Sequence, residues 1–475
     1  MNRWLKKYGQ FIVGALFLLY FLYTFTNALS SSSKEVAIAV VLTLVLYIQS
    51  FGTFFYFYKK TRRPRLIDWL KISLFIMLVL NFMKIANNAD GQIHIAFSVT
   101  TVSLNDAPFT MLVIAFAFLA LDFGNLVSKF IKVKRHHERY AIKRKNWVFS
   151  ILIFSTTIQG YLLFSGMSGY GSDLEYTTGV ASLAKTLAGI LNPFALIISA
   201  YIIFIEHVKS KTYRTIFYSA LTVQILLGLL SGMKESALIP VLYVGIVFLF
   251  AGWKLPKNLL YMGLFVLALL YPVNNAYRNV INDPQTNTGS NTLNMAIALR
   301  NVFTKPLTET LLEGVESYGD RGEMYLYLQY SINKEPTWDY YKHMSRYIVL
   351  PVVWLIPRAI WPDKPRADIG GVLSQKIVGY ENRSAVTPTN VGWAYFEGGV
   401  PFLVLIFIMI GFLLTFIDIQ NYRKPMVLLF YILLFHKSIK PEWDPYFMFA
   451  SVIQFYIMYW LLMKIIGIKK LGNTQ

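Results

Sequence analysis

Residues 10–29 read QFIVGALFLLYFLYTFTNAL, twenty positions without a charge. A bilayer hydrocarbon core of about 30 Å is crossed by about 20 apolar residues of helix, so a run like this constrains the chain more than any other feature. Comparable runs follow near 36–58, 66–86, 107–130, 147–165, 179–205, 213–231, 235–251, 258–277, 400–418, 425–438 and 445–466, with 235–251 and 425–438 the shortest. The expected fold is therefore an all-α polytopic membrane protein of about twelve transmembrane helices. Composition agrees, since only 15% of the 475 residues are charged, against roughly 25% in soluble domains, and mean hydropathy is +0.47. Arg3, Lys6 and Lys7 precede the first run and no small-residue cleavage site follows it, so it reads as a retained anchor.

The formal net charge of +20 is explained by where the cations fall. Lys and Arg in short loops mark the cytoplasmic side. With the N-terminus inside, that side receives KKTRRPR (59–65), KVKRHHERYAIKRK (132–145), KSKTYR (209–214), WKLPK (253–257), YRK (422–424) and the tail lysines 464, 469 and 470. The other side holds isolated cations: Lys34, Lys84, Lys185, Lys234, Lys437 and Lys440. Both termini are expected in the cytoplasm. The basic loops suit anionic lipid headgroups, and no folded module around 132–145 supports nucleic-acid binding.

The chemistry available is limited. There is no cysteine, hence no disulfide and no thiolate ligand or nucleophile. The six histidines, 94, 136, 137, 207, 343 and 436, show no metal-ligand spacing. Acidic pairs occur at Asp173/Glu175 and Glu442/Asp444, a spacing common by chance. Walker A, glycine-rich dinucleotide and GxSxG motifs are absent, so neither nucleotide-driven chemistry nor a cofactor is expected.

Between the ninth and tenth runs lie residues 278–399, the one large non-membrane segment, with twelve Lys/Arg and twelve Asp/Glu. Loops this long are usually functional or structured. NTLNMAIALRNVF (291–303) predicts a helix capped by Asn291 or Thr292, GEMYLYLQYSI (322–332) is dense enough to pack on another surface, and the cap should be mainly helical. The chain thus divides into 1–277, nine spans; 278–399, an extracytoplasmic cap; and 400–475, three spans and a tail. Within the cap, IVLPVVWLIPRAIWPDKPRADIG (348–370) is broken by Pro351, Pro357, Pro362 and Pro365 and ends in charge. Its core, 347–361, is too short to span and reads as a re-entrant or interfacial segment.

Ionisable groups at or near this membrane face carry the functional expectation: Arg278, Lys234, Arg321, His343, Arg346, Arg358, Lys364, Arg366 and Glu397. Guanidinium and ammonium groups beside proline-broken backbone suit an amphiphile with a phosphate head, such as a polyprenyl diphosphate. Plainer roles stand beside each. Arg358 and Lys364 are also natural snorkelling anchors, Arg278 a helix-end cation, Lys234 a topology residue or a partner for Glu235, His343 a packed histidine, and Glu397 a helix N-terminal carboxylate.

The span pattern with one late outer loop, together with NNAYRN (274–279), LIPRAIWPDKP (355–365) and NVGWAYFEGGVPFLVLI (390–406), resembles the Wzy-type oligosaccharide repeat-unit polymerases over roughly 230–410. That resemblance implies a GT-C-like, polyprenyl-diphosphate-dependent glycosyltransferase of the bacterial cytoplasmic membrane. It implies no cofactor, lipid-linked oligosaccharides as substrates, and a chain-length regulator and a flippase as candidate partners. It would place Arg278, Arg358 and Lys364 on the diphosphate, with Arg321, Arg366 and Lys234 in support, and Glu397 or His343 as the base. A lipid-linked oligosaccharide flippase and an O-antigen-ligase-type transferase are the rival classes. A flippase would be expected to carry matched halves and midplane sites, neither of which the sequence displays.

Overall fold

The computed structural model describes residues 3–30, 34–61, 65–88, 92–94, 101–131, 138–170, 179–253, 272–306, 308–309, 323–333, 356, 361 and 387–471. Among these, nine helices are long and apolar enough to cross a bilayer, and two shorter apolar helices, Glu235–Phe250 and Pro425–Ile439, accompany them. Eleven of the twelve expected runs thus coincide with apolar helices, most of them within a few residues of the expected limits. For the remaining one, 258–277, residues 258–271 lie outside the described residues.

In chain order the helices are α1 (Arg3–Ser30), α2 (Lys34–Tyr47), α3 (Thr53–Thr61), α4 (Leu66–Leu74), α5 (Asn81–Asn88), α6 (Ala107–Ser128), α7 (Lys145–Phe164) and α8 (Gly179–Ala200). They continue with α9 (Lys211–Leu230), α10 (Lys234–Phe250), α11 (272–282), α12 (Asn291–Phe303) and α13 (Glu323–Asn333). The last three are α14 (Thr389–Asp418), α15 (Pro425–Ile439) and α16 (Pro445–Ile466). Wide π-helical turns at Ile48–Gly52 and Phe75–Leu80 join α2 to α3 and α4 to α5, and a third, Tyr201–Ile205, extends α8. Large apolar side chains stay exposed on the outer helices, among them Leu16, Leu19, Ile48, Phe123 and Phe164. Such faces on helices of spanning length belong against lipid.

Two departures from the expected all-α class are small antiparallel strand pairs. β1 (Gln92–His94) pairs with β2 (Thr101–Ser103), and β3 (Arg139–Ile142) pairs with β4 (Ile468–Leu471). The second pair joins the 132–145 loop to the C-terminal tail, and further bonds gather the other basic loops at the same end. Leu66 N donates to Asp418 at 2.8 Å, Asn421 Nδ2 to Glu138 O at 3.2 Å, and Tyr201 Oη to both Tyr140 O and Arg423 O. Tyr140 gives its own hydroxyl to Glu138 at 2.6 Å, which pushes that phenol up to about 12. The end of α1 bonds across to the end of α5 through Asn27 and Asn87 at the opposite pole, so Arg3 lies at this basic end. The described parts of the 132–145 and 422–424 loops, the tail strand and the start of α4 beside the 59–65 loop, all expected on one side, share one end of the bundle.

Glu206 is the anchor of this end. It is 5% exposed at its side chain, accepts Ile142 N at 2.7 Å and meets Lys145 Nζ at 2.8 Å. Removing a charged acceptor from a buried amide costs roughly 1.5–3 kcal/mol. Glu206→Ala is accordingly expected to destabilise the detergent-solubilised protein by about 2 kcal/mol, read as an earlier thermal unfolding transition.

At the distal end the cap begins to appear. α12 forms where expected, but Ser290 holds its N-cap position and neither Asn291 nor Thr292 does. The preceding loop sets this register, because Asn294 Oδ1 reaches back to Thr288 N at 2.9 Å and Thr288 Oγ1 at 2.8 Å. α13 packs on α14, as the density of its apolar residues implied, and ties to β2 through Gln329 and Ser103. The expected tenth span starts earlier than its hydropathy: α14 begins at Thr389 and is interrupted at Gly398 and Gly399 before Pro401. Residues 389–397 form a short segment ahead of the spanning one.

Candidate functional site

The distal corner is built on the turn between α9 and α10. Gly232 sits there at φ +65°, and a Cβ on it would overlap the Tyr277 ring, so the turn and α11 close on each other only with glycine present. Asn274 donates its side-chain amide to Gly232 O, and Tyr170 N donates to Ser231 O at 2.8 Å. Arg278, one residue beyond Tyr277, lays its guanidinium over the Tyr170 ring at 4.5 Å, a cation–π geometry. The NNAYRN stretch is thereby pinned to the turn that carries Lys234 and Glu235.

Glu235, in the first turn of α10, faces the last turn of α15. Its Oε1 meets His436 Nε2 at 2.8 Å, and its Oε2 pairs with Lys440. The other ring nitrogen of His436, Nδ1, lies 3.3 Å from the Tyr243 hydroxyl. Both nitrogens of a largely buried imidazole are therefore engaged, the carboxylate on one side fixing the ring's orientation. Beyond α15 the chain turns on Trp443 Nε1, which donates to Lys437 O at 2.6 Å, and Asp444 caps α16 by accepting Tyr446 N at 3.0 Å. One member of the Glu442/Asp444 pair thus has a local structural task.

The same loop holds the start of α14. Asn390 N donates to Pro441 O at 2.8 Å, and Thr387 Oγ1 donates to Glu442 O while accepting Trp393 Nε1 at 3.1 Å. Asn390 is fully buried, and neither atom of its carboxamide finds a hydrogen-bond partner among the described residues. Seven residues on, along the same helical face, comes Glu397, 2% exposed. Glu397 closes the segment 389–397 and directly precedes the Gly398–Gly399 break that leads into the spanning part of α14; the segment extends ahead of the hydropathy signal because its residues pack on α13 instead of lipid.

A cavity of about 180 Å³ opens between α8, α10, α15 and α16. Tyr243, His436, Lys437 and Ser451 make its polar wall, and Phe430, Leu433, Leu434, Met448, Val452 and Phe455 supply most of the apolar remainder. A mainly apolar pocket with a few convergent polar groups is the usual form of a small-molecule site.

Of the residues anticipated from sequence, Arg278, Lys234 and Glu397 belong to elements that meet at this corner; Lys234 is the first residue of α10. Arg321, His343, Arg346, Arg358, Lys364 and Arg366 lie outside the described residues, as does 347–361 apart from Ile356 and Trp361. The structure adds His436, Tyr243, Lys437 and Lys440 to the site. A histidine at the end of an apolar run was the available signal, since ionisable groups at membrane depth are costly. Its partner is 201 residues away in sequence, so spacing gave no cue.

These features define a multi-pass helical membrane protein with a charged, partly apolar site at the end opposite its basic loops. The chain belongs to a family described as a domain of unknown function, DUF8712, whose model matches residues 157–471. No curated protein and no solved structure matches the chain. The family region contains every element of the corner described above.

Proposed function

We propose that this protein is a polysaccharide polymerase. It would join polyprenyl-diphosphate-linked oligosaccharide repeat units at the outer face of the bacterial cytoplasmic membrane, with a GT-C-like arrangement and both termini in the cytoplasm. The observation that carries this reading is the distal corner itself: Lys437 and Lys440 at the end of α15, with Lys437 in the polar wall of an apolar cavity, and Arg278 on α11, which is pinned to the turn that opens α10. An amphiphile with a long apolar tail and an anionic head matches that combination. Its glycosyl–diphosphate bond is already activated, so no nucleotide site is required. The catalytic demand is then to stabilise charge growing on the departing diphosphate and to accept a hydroxyl proton. The resemblance of 274–279, 355–365 and 390–406 to Wzy-type polymerases supports the same assignment.

The glycan size profile of cells lacking the gene tests it. Single-repeat products at the cell surface are expected. Repeat units retained on the inner leaflet would instead indicate a flippase, and full-length glycan left unattached to its final acceptor a ligase. In complemented cells, Arg278→Ala is expected to insert normally yet lower chain extension about a hundredfold, the usual cost of losing one charge-stabilising donor. Normal chain lengths from this variant would exclude Arg278 from the diphosphate.

A further inference from the structure

Glu235, His436 and Tyr243 form a line that ends on the cavity, and its use rests on the glycosyltransferase reading above. We propose that His436, oriented by Glu235, is the base that accepts the proton of the acceptor sugar's hydroxyl. The carboxylate at 2.8 Å favours the tautomer with the hydrogen on Nε2, which leaves Nδ1 as the acceptor nitrogen. Nδ1 is directed at Tyr243, which lines the cavity with it, and their 3.3 Å contact is long enough for a substrate hydroxyl to displace. Lys440 holds the second oxygen of Glu235, so the carboxylate keeps its first oxygen on the ring.

Location gives the second argument. In a prenyl-linked sugar the reacting bond lies where the apolar tail gives way to the polar head. Within the cavity that boundary is the wall made by His436, Lys437, Tyr243 and Ser451. Both members of the pair also stand on helices, α10 and α15, which hold geometry better than a loop does.

The step balances without a further reagent. The acceptor oxygen forms a bond to the anomeric carbon, and the bond from that carbon to the diphosphate oxygen breaks. Its electron pair leaves on the lipid diphosphate, beside the Lys437 ammonium. The hydroxyl proton passes to His436 Nδ1, and Glu235 offsets the charge of the imidazolium so formed.

The test uses the full chain in lipid nanodiscs with prenyl-diphosphate-linked oligosaccharide extracted from cells lacking the gene. His436→Ala is expected to bind the extracted lipid within a few-fold of wild type and to extend chains at least about a hundredfold more slowly. Because the truncation enlarges an existing cavity, added imidazole should restore part of the rate, an effect that a structural role would not produce. Glu235→Gln should bind normally and extend at least about tenfold more slowly. Wild-type extension by His436→Ala, or a folded His436→Ala that imidazole leaves inactive, overturns the proposal. Should His436→Ala not fold, undiminished extension by Glu235→Gln overturns it. A different result, wild-type protein that neither binds nor extends the extracted lipid, overturns the polymerase reading itself.

Discussion

Gly411→Val is expected to leave little folded protein after detergent extraction. α6 and α14 make the most extensive helix pair in the described structure, and they cross glycine against backbone. A Cβ on Gly411 would overlap Leu121 O and stand 2.9 Å from Leu121 Cα, and one on Gly124 would overlap Ile408 O and stand 2.7 Å from Phe412 N. These obstacles are main-chain atoms inside regular helices, so no rotamer change relieves the clash; the two axes must separate. Separation opens gaps along Phe118, Leu121, Phe407, Ile410 and Leu414, all buried, and small residues at such crossings exist to prevent that. Overpacking typically costs 1–3 kcal/mol, and a backbone obstacle on both helices puts the cost at about 3 kcal/mol or more. Fluorescence-detected gel filtration of the extracted variant checks this. A monodisperse peak with unchanged thermal stability would show that the crossing is looser than described. Leu405→Val, on the exposed face of the same helix, is the matched control and should change nothing measurable.

The second large effect is an asymmetry. Lys71 in α4 is fully buried, while its partner Asp122 in α6 is 34% exposed at the side chain, with Nζ and Oδ2 2.6 Å apart. Lys71 has Gln49 O as a further acceptor at 3.4 Å, and nearby Asp68 is taken up by Arg65 at 2.6 and 2.8 Å. Removing one member of a buried pair leaves a charge without compensation, costing about 3–5 kcal/mol. Asp122→Ala strands the buried ammonium and is expected near the lower limit, about 3 kcal/mol. Lys71→Met strands a carboxylate that already reaches the surface and should cost less than half as much. The double variant Lys71→Met with Asp122→Leu should recover most of the loss, since a well-packed apolar pair replaces the ionic one. Thermal unfolding in nanodiscs measures all three. Equal costs for the two single variants would contradict the burial difference on which the prediction stands.

Much of the architecture was legible in advance, for a reason particular to membranes. Lipid satisfies no backbone hydrogen bond, so each crossing must be helical and apolar over its whole length, and that requirement is written locally. The limits of α7, α9 and α16 follow their hydropathy within a few residues. Where a helix packs on protein instead, the signal misplaced the boundary. Residues 389–397 read as part of the cap because they pack on α13, and the break at Gly398 and Gly399 separates them from the spanning part of the helix. The strand pair β3–β4 was illegible because its halves come from a loop and a tail more than three hundred residues apart.

By itself the sequence determined the membrane-spanning helices and which loops gather at one end, since hydropathy and loop charge act residue by residue against the bilayer. Tertiary structure alone decided which side chains meet: Glu235 with His436, Lys71 with Asp122, Gly411 with Leu121. A span apolar on every face gives no clue to its rotation. Only close packing against its neighbours fixes which residues turn inward, and therefore which charges can act together.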